Sequence, residues 1–371
     1  MKYWRGYLTA GILAAVTWAL TRLAKTYSEL LDMIYPYISR ILQNTLAGWS
    51  GSVSFCLWQV LLVFLVVVVL ATLVLMIVCK WNPIRWTGWV AAVVSLVVLL
   101  NTALFGLNRY AGPIAEDIHL DNGTYTLSQL VDAAAYYRDQ ANTLANKVSR
   151  DASGDVTGDS FETLTADAGE GFRYLTYERG FSLFAGTTQP VKKLEWQIPF
   201  LTSKHELGMT VGITGEACVN TNVPQVLLPY AICREMADRM CISVPRDMDF
   251  AGVLAARFHS APAFQYAGYL MAYRFTVQTL ENVSGSAAKT MLDGVRSGEN
   301  ANLSHDLSVA DGFLSATDDV QVTDEVGRLL VNWYLQETVL PDQSEEENTF
   351  DPFDKNQVDL SGIANAGAAN D

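Results

Sequence analysis

Long apolar runs dominate the first third of the chain. Residues 55–79 form an almost unbroken apolar run of 25 residues, which exceeds the roughly 20 residues that a helix needs to cross a bilayer. Residues 88–107 form a second run, interrupted strongly only by Asn101. A weaker run covers residues 7–24 and follows a basic start like that of a signal peptide, but no small-residue cleavage site follows it. The pattern therefore predicts three retained membrane spans.

Basic residues flank these spans unevenly. The side predicted to be cytoplasmic carries Lys2, Arg5, Lys80 and Arg85. Because basic loops are retained in the cytoplasm, we expect a protein of the cytoplasmic membrane whose region after the third span is extracytoplasmic. Three further basic residues, Arg22, Lys25 and Arg40, lie near the opposite side and weaken this bias. The loop that holds Arg40, residues 25–54, is rich in aromatic and aliphatic residues and could form an interfacial helix.

The rest of the chain has mostly helical patterns. Apolar residues recur at helical spacing in 127–148, and further helices are predicted at 161–184, 229–241, 263–280 and 323–340. Residues 190–222 are rich in Gly, Thr and β-branched residues, which favours loops or short strands. The stretch 341–371 is acidic and ends in Ala, Gly and Asn, which predicts a disordered tail. We thus expect a mainly α fold: a transmembrane region (1–109), a helical extracytoplasmic domain (110–340) and the tail.

Charge separates along the same boundary. Residues 1–109 contain eight Lys and Arg against two acidic residues, whereas the remainder contains 17 against 37, a net charge of −20. Such an acidic region is not expected to bind nucleic acid, because phosphate contacts need clustered Lys and Arg. The five cysteines have no regular spacing, so we interpret them as small buried side chains rather than a disulfide framework.

One predicted helix carries candidate chemistry. Zinc peptidases often have His-Glu-x-x-His on a helix, since this spacing places two imidazole ligands on one face and the Glu polarises the metal-bound water. Residues 234–238 read Arg-Glu-Met-Ala-Asp. The central Glu235 is present, but Arg234 and Asp238 stand where the two histidines would be.

Around this helix, residues 212–256 resemble the bacterial family called domain of unknown function 3810. The segments that carry the resemblance elsewhere are 105–110 (FGLNRY), 190–193 (PVKK) and 264–269 (FQYAGY). The resemblance implies three N-terminal spans and an extracytoplasmic, zinc-metallopeptidase-like domain. In that family an HExxHQxG motif is followed by an ExEAN segment with a third carboxylate ligand.

The chain departs from that pattern at the positions that would hold metal. In register, Asp247 takes the position of the last Glu of ExEAN and Asp249 that of its Asn, while Arg239 and Cys241 replace the Gln and Gly that follow HExxH. An arginine has no lone pair to donate to a metal. We therefore predict an ion cluster in place of zinc, with Arg234 paired to Asp238, Asp247 or both. The alternative is that Arg234 and Asp238 are simply solvated. Glu216 and Tyr266 are candidates for the surrounding cleft, and for Glu216 a capping or surface position is equally expected.

These residues support three hypotheses. The first is a membrane-anchored pseudopeptidase, an inactive metallopeptidase-like protein that binds a protein or peptide in the cell envelope, with no cofactor and with the lipid bilayer as its other partner. The second is an active hydrolase with an unusual site built on Glu235, Asp238 and Asp247, with His205 as a further candidate. Zinc would be needed only under this alternative, and Glu235 would be the general base. The third is a membrane structural or assembly protein.

Overall fold

The computed structural model describes residues 4–121, 123–194, 206–220, 222–316 and 319–338. The predicted tail and His205 lie outside these residues. The helices are α1 (Arg5–Thr26), α2 (Ser28–Ser50), α3 (Leu57–Val78), α4 (Pro83–Leu104), α5 (Ile114–Asp117), α6 (Leu127–Ala145), α7 (Phe161–Asp167), α8 (Gly169–Tyr177), α9 (Leu228–Arg239), α10 (Pro245–Arg257), α11 (Pro262–Asn282), α12 (Ser286–Arg296), α13 (Ala301–Leu314) and α14 (Val320–Thr338). The strands are β1 (Lys192–Lys193), β2 (Gly208–Val211) and β3 (Glu216–Val219). The prediction of a mainly α fold is confirmed.

Among the described residues, three helices, α1, α3 and α4, are long and apolar enough to cross a membrane. They correspond to the three predicted runs, although α4 ends at Leu104 and a 3-10 turn follows it at Gly106–Tyr110. Helices α1 and α4 approach each other closely at Gly6 and Gly88. The backbones are so near that a Cβ at Gly6 would collide with the backbone of Gly88. Small residues are the usual means by which spanning helices reach this separation.

Helix α2 connects the spanning helices to the rest of the chain. On its buried face, the Ser39 hydroxyl donates to the carbonyl of Leu104 (2.8 Å) and the Gln43 amide donates to that of Gly212 (3.1 Å). Its opposite face exposes large apolar side chains, namely Leu30, Met33, Ile34, Tyr37, Ile38 and Ile41. The helix expected in the loop 25–54 is therefore present, and its two faces differ as those of an interfacial helix do.

The C-terminal region, residues 111–338, is organised around one continuous apolar core. Helices α6, α9, α10, α11 and α14 pack against one another in it, and the buried Tyr137 hydroxyl donates to the carbonyl of Leu330 (2.8 Å). Helices α10, α12 and α13 were not predicted. Helix α10 is buried at every position from Asp247 to Arg257, including its charged residues, so its charged positions do not mark a face exposed to water as they do in a surface helix.

A small sheet ties this region to the membrane helices. Strand β3 lies between β1, which runs parallel to it, and β2, which runs antiparallel. At the start of β3, the buried Glu216 carboxylate accepts hydrogen bonds from the backbone N–H groups of Leu57 and Trp58 (2.7 and 2.8 Å), the first two residues of α3. Lys192 contacts the same carboxylate (2.6 Å). Glu216 is therefore a cap of α3, which is the second of the two roles expected for it from the sequence, and not part of a cleft.

Candidate functional site

A cleft of about 700 Å³ opens between α9, α10, α11 and the strand β2. Its polar and charged lining residues are Asn101, Arg109, Glu206, Thr210, Tyr230, Arg234, Glu235, Asp238, Ser243, Asp249, Arg274, Asp319 and Thr323. Asn101 belongs to the spanning helix α4, and Arg109 lies in the turn that follows it. The cleft is thus adjacent to the end of a spanning helix and contains the candidate residues of α9.

Two glycines bring the walls of this cleft together. A Cβ at Gly252 of α10 would lie 3.0 Å from the Cα of Arg234, so the glycine allows α10 to pack directly against α9. A Cβ at Gly208 of β2 would lie 2.7 Å from the Cγ of Glu235. Because real Cβ atoms do not approach so closely, only glycine lets the strand lie on the Glu235 side chain.

The floor of the cleft is an ion cluster centred on Arg234. Its Nη1 donates to Glu235 Oε1 (2.7 Å), and its Nε donates to Asp249 Oδ1. The same oxygen of Asp249 accepts a hydrogen bond from the Tyr230 hydroxyl (2.9 Å). Glu235 and Tyr230 are each 1% exposed, so an ion cluster stands at the position where the motif would place zinc ligands.

The partners of Arg234 differ from those predicted. Asp238 lines the cleft, but the side chain of Arg234 extends to Asp249 on α10 instead of one turn along its own helix. Asp247 lies elsewhere: its carboxylate accepts from the backbone N–H of Ile114 (3.3 Å) and from Arg246 (3.2 Å), and it borders a separate cavity beside α2. The packing of α10 thus turns Asp249, not Asp247, towards Arg234.

Tyr266 also lies outside the cleft. Its buried hydroxyl donates a hydrogen bond to Asp306, and Asp306 also forms a salt bridge with Arg150 (2.6 Å). This network joins α11 to α13 and to the segment before α7. Tyr266 therefore stabilises the packing of the helices, and its assignment to a cleft is corrected.

Burial controls the protonation of Glu235. Removal of the carboxylate from water raises its pKa to about 8, and the adjacent Arg234 opposes this rise. Burial likewise raises the pKa of Asp238. Glu235 therefore takes up a proton more readily than a free glutamate does, and in its protonated form Arg234 and Asp249 make an ion pair without net charge.

The strand β2 presents a backbone edge to the cleft. The N–H of Asn220 donates to the carbonyl of Leu207 (2.9 Å), and Met209 pairs with Cys218. Because hydrogen-bonded and non-bonded pairs alternate in an antiparallel ladder, the N–H and C=O groups of Gly208 and Thr210 point away from β3. Among the described strands β2 pairs on one side only, and Gly208, Met209 and Thr210 all line the cleft.

The donor set in the cleft does not fit zinc. Structural and catalytic zinc sites use Cys, His and carboxylate ligands, whereas Arg234 holds two of the nearest carboxylates in hydrogen bonds. Within the described residues no three His, Cys, Asp or Glu side chains are grouped so as to hold a metal ion. The guanidinium and the metal would compete for the same oxygens, and the two cations would repel each other.

Several residues of the site were missed by sequence reasoning. Tyr230 lies one helical turn before Arg234, a spacing that places both on one face of α9, and this signal was available. Asp249 was noted only as a replacement for Asn, because its role depends on how α10 packs. Arg109 and Asn101 enter the cleft from the end of the membrane helices, and no local pattern in the sequence indicates that approach.

A comparison with known families identifies the family of the chain. A family model described as protein of unknown function (DUF3810) matches residues 30–337. The chain belongs to this family. No curated protein and no solved structure matches the chain significantly, so the family assignment brings no activity with it, and the function must be argued from the cleft.

Proposed function

We propose that this chain is a membrane-anchored pseudopeptidase that binds an extended polypeptide segment in the cleft beside Glu235. The observation that carries the proposal is the position of β2, whose outward backbone groups at Gly208 and Thr210 border the same cleft as the Arg234 cluster. An extended peptide that adds to a free strand edge gains main-chain hydrogen bonds there, and nearby side chains select its sequence.

The replacement of metal ligands by Arg234 argues for binding without hydrolysis. Peptide hydrolysis at such a site needs a polarised water, which the metal of an HExxH enzyme supplies. Here Glu235 is engaged by Arg234 at 2.7 Å, and the guanidinium has no lone pair with which to hold a metal. The cluster instead offers fixed hydrogen-bonding groups at the centre of the cleft.

The backbone direction at Thr210 gives a specific test of binding. Peptides would be selected from a random-sequence display library on the purified full chain, and their affinity measured by fluorescence anisotropy. Thr210→Pro removes one outward N–H without breaking the ladder to β3. It should lower the affinity for a selected peptide by about two- to tenfold, because one hydrogen bond contributes ~0.5–1.5 kcal/mol. Thr210→Val keeps the N–H and should bind like the unchanged protein.

The outcomes separate the hypotheses. Equal affinity for the Pro and Val variants, or a library that yields no binding peptide, would refute strand addition at β2. Quenched fluorescent peptides should remain intact when incubated with the protein, with or without added zinc. Cleavage that disappears in Glu235→Gln would instead establish the active hydrolase.

We further propose that the cleft is extracytoplasmic and close to the surface of the cytoplasmic membrane. Helix α4 ends beside the cleft, whereas Lys80 and Arg85 lie at the other end of the spanning helices. The basic end is expected to stay in the cytoplasm. The exposed apolar face of α2 supports contact with the same membrane surface, so the partner is expected to be a segment that lies near the bilayer.

A further inference from the structure

Two cysteines from distant parts of the chain meet where α3 joins the sheet. Cys56 is the residue before the first turn of α3, and Cys218 lies in the middle strand β3. Their sulfur atoms are 3.2 Å apart although 162 positions separate them in the sequence. Both side chains are buried, and both residues are free thiols in this structure.

The surrounding contacts fix both backbones at this distance. Glu216, two residues before Cys218, accepts hydrogen bonds from the N–H groups of Leu57 and Trp58, directly after Cys56. The thiol of Cys56 donates to the carbonyl of Lys193 (2.9 Å). These hydrogen bonds hold the start of α3 against the sheet, and the two sulfurs therefore face each other.

We propose that Cys56 and Cys218 form a disulfide that joins the start of membrane helix α3 covalently to strand β3. The sulfurs would have to approach by about 1.2 Å to reach the ~2.04 Å of an S–S bond. This inference is independent of peptide binding in the cleft, because neither cysteine lines it.

The bond forms by exchange with a protein disulfide of the dithiol oxidant class. One thiolate attacks the oxidant disulfide and gives a mixed disulfide, and the second thiolate displaces the oxidant's thiol. The two cysteines lose two protons and two electrons, and the oxidant disulfide becomes two thiols. The hydrogen bond to Cys56 and burial raise the pKa of Cys218. The folded pair is therefore a poor nucleophile, so the exchange takes place during folding, before the pair is enclosed.

Such a bond would close a long loop that includes α4 and the helices up to β3. A cross-link over a long loop restricts the unfolded chain strongly, and this one would keep the sheet attached to α3 when the Glu216 contacts open. The other cysteines serve as internal controls, because Cys79 lies exposed at the far end of α3 and Cys233 and Cys241 are buried elsewhere.

Peptide mapping of the full-length protein tests the proposal without any substitution. Cells would be denatured directly into N-ethylmaleimide so that free thiols are blocked, and the protein digested and analysed without reduction. We expect a linked peptide pair containing Cys56 and Cys218, with Cys79, Cys233 and Cys241 alkylated. Alkylation of both Cys56 and Cys218 in the unchanged protein would refute the proposal.

Thermal unfolding gives a second readout. Reductant present during unfolding should lower the midpoint of the unchanged protein by several degrees, as expected when a long-loop cross-link is lost. Cys56→Ser and Cys218→Ser should show no reductant-dependent shift, while Cys233→Ser should keep it. A reductant effect that persists in Cys56→Ser would assign the cross-link to other cysteines and contradict the proposal.

Discussion

Arg234 is the residue on which the site depends most. Its guanidinium holds Glu235 and Asp249 together, and its side chain is only 18% exposed. Sequence reasoning placed a charge cluster on this helix because Arg234 and Asp238, which align with the two histidines of HExxH, lie one turn apart. It did not identify Asp249 as the partner. Asp247 and Asp249 are chemically equivalent, and only the packing of α10 determines which of the two side chains faces Arg234.

Removal of Arg234 should destabilise the fold strongly. Arg234→Ala leaves the Asp249 carboxylate buried without a cation, and the loss of one partner from a buried pair costs ~3–5 kcal/mol. Arg296→Ala is the matched control, because Arg296 is 50% exposed and pairs with Glu281 on the surface, where a pair is worth ~0–1 kcal/mol. Denaturant unfolding in detergent measures both. Equal losses would mean that the Arg234 cluster is effectively solvated.

Glu235 should make stability fall as pH rises. Its pKa is raised by burial to about 8 in the folded protein, against 4.5 for the free side chain, so between these values the folded state binds more protons than the unfolded state. Unfolding free energy then decreases with pH across this window, by at most about 1.4 kcal/mol per pH unit for one proton. Glu235→Gln should reduce this slope, most clearly between pH 6 and 8, and should be more stable than the unchanged protein above pH 8.

A second carboxyl provides the control for that experiment. Burial raises the pKa of Asp247 to about 6. Its contribution to the unfolding free energy therefore also decreases as pH rises, but this decrease stops about two pH units lower than that of Glu235. Asp247→Asn should therefore flatten the profile only below pH 6 and leave the slope between pH 6 and 8. An unchanged slope in Glu235→Gln would contradict the assignment of that window to Glu235.

Introduction of an HExxH motif tests which carboxylate faces positions 234 and 238. Purified protein should carry no stoichiometric zinc by elemental analysis. Arg234→His with Asp238→His restores HExxH, and Asp249→Glu adds a carboxylate from within the cleft. This triple variant should bind zinc, whereas the same two histidines with Asp247→Glu should bind it more weakly, since Asp247 faces another cavity. Tighter binding by the Asp247 variant would refute the orientation of α10.

At the scale of secondary structure, the contact between β3 and α3 decides how the membrane helices are joined to the C-terminal region. Glu216 accepts hydrogen bonds from the N–H groups at the start of α3 that have no partner within the helix, and its charge offsets the partial positive charge of the helix dipole there. Lys192 uses its three hydrogens for Glu216 and the carbonyls of Ser50 and Phe55. The sequence indicated neither contact, because strands of two and four residues are too short to show a period, and Glu216 lies far from α3 in sequence.

Glu216→Ala should therefore cost much more than the loss of a neighbouring surface pair. The substitution removes two backbone hydrogen bonds and leaves the buried Lys192 ammonium without its anion, which predicts a loss of ~3–5 kcal/mol. The control is Glu162→Ala, since Glu162 pairs with the adjacent Lys193 on the surface at 70% and 36% exposure and should cost ~0–1 kcal/mol. Chemical unfolding compares the two variants. A cost for Glu216→Ala no larger than that of the control would show that the cap contributes little.

Across the whole molecule, the two ends of the long apolar helices differ. The end near the C-terminal region carries the α2 helix and the start of α3, and the other end carries Lys80 and Arg85. The apolar runs predicted the three long apolar helices well, because a run of about 20 apolar residues has few alternative structures. The position of the cleft beside α4 could not be predicted, since it depends on contacts between regions that are distant in sequence.

This arrangement makes a definite prediction for labelling of intact cells. Ser153 lies in an exposed segment of the C-terminal region, and the native Cys79 lies exposed at the opposite end of α3. A membrane-impermeant maleimide should label Ser153→Cys in intact cells, whereas Cys79 should react only after permeabilisation, because the basic loop beside it is expected in the cytoplasm. The other four cysteines are buried, so they add little background. Labelling of Cys79 but not of position 153 in intact cells would reverse the orientation, and the cleft and its partner would then have to be sought in the cytoplasm.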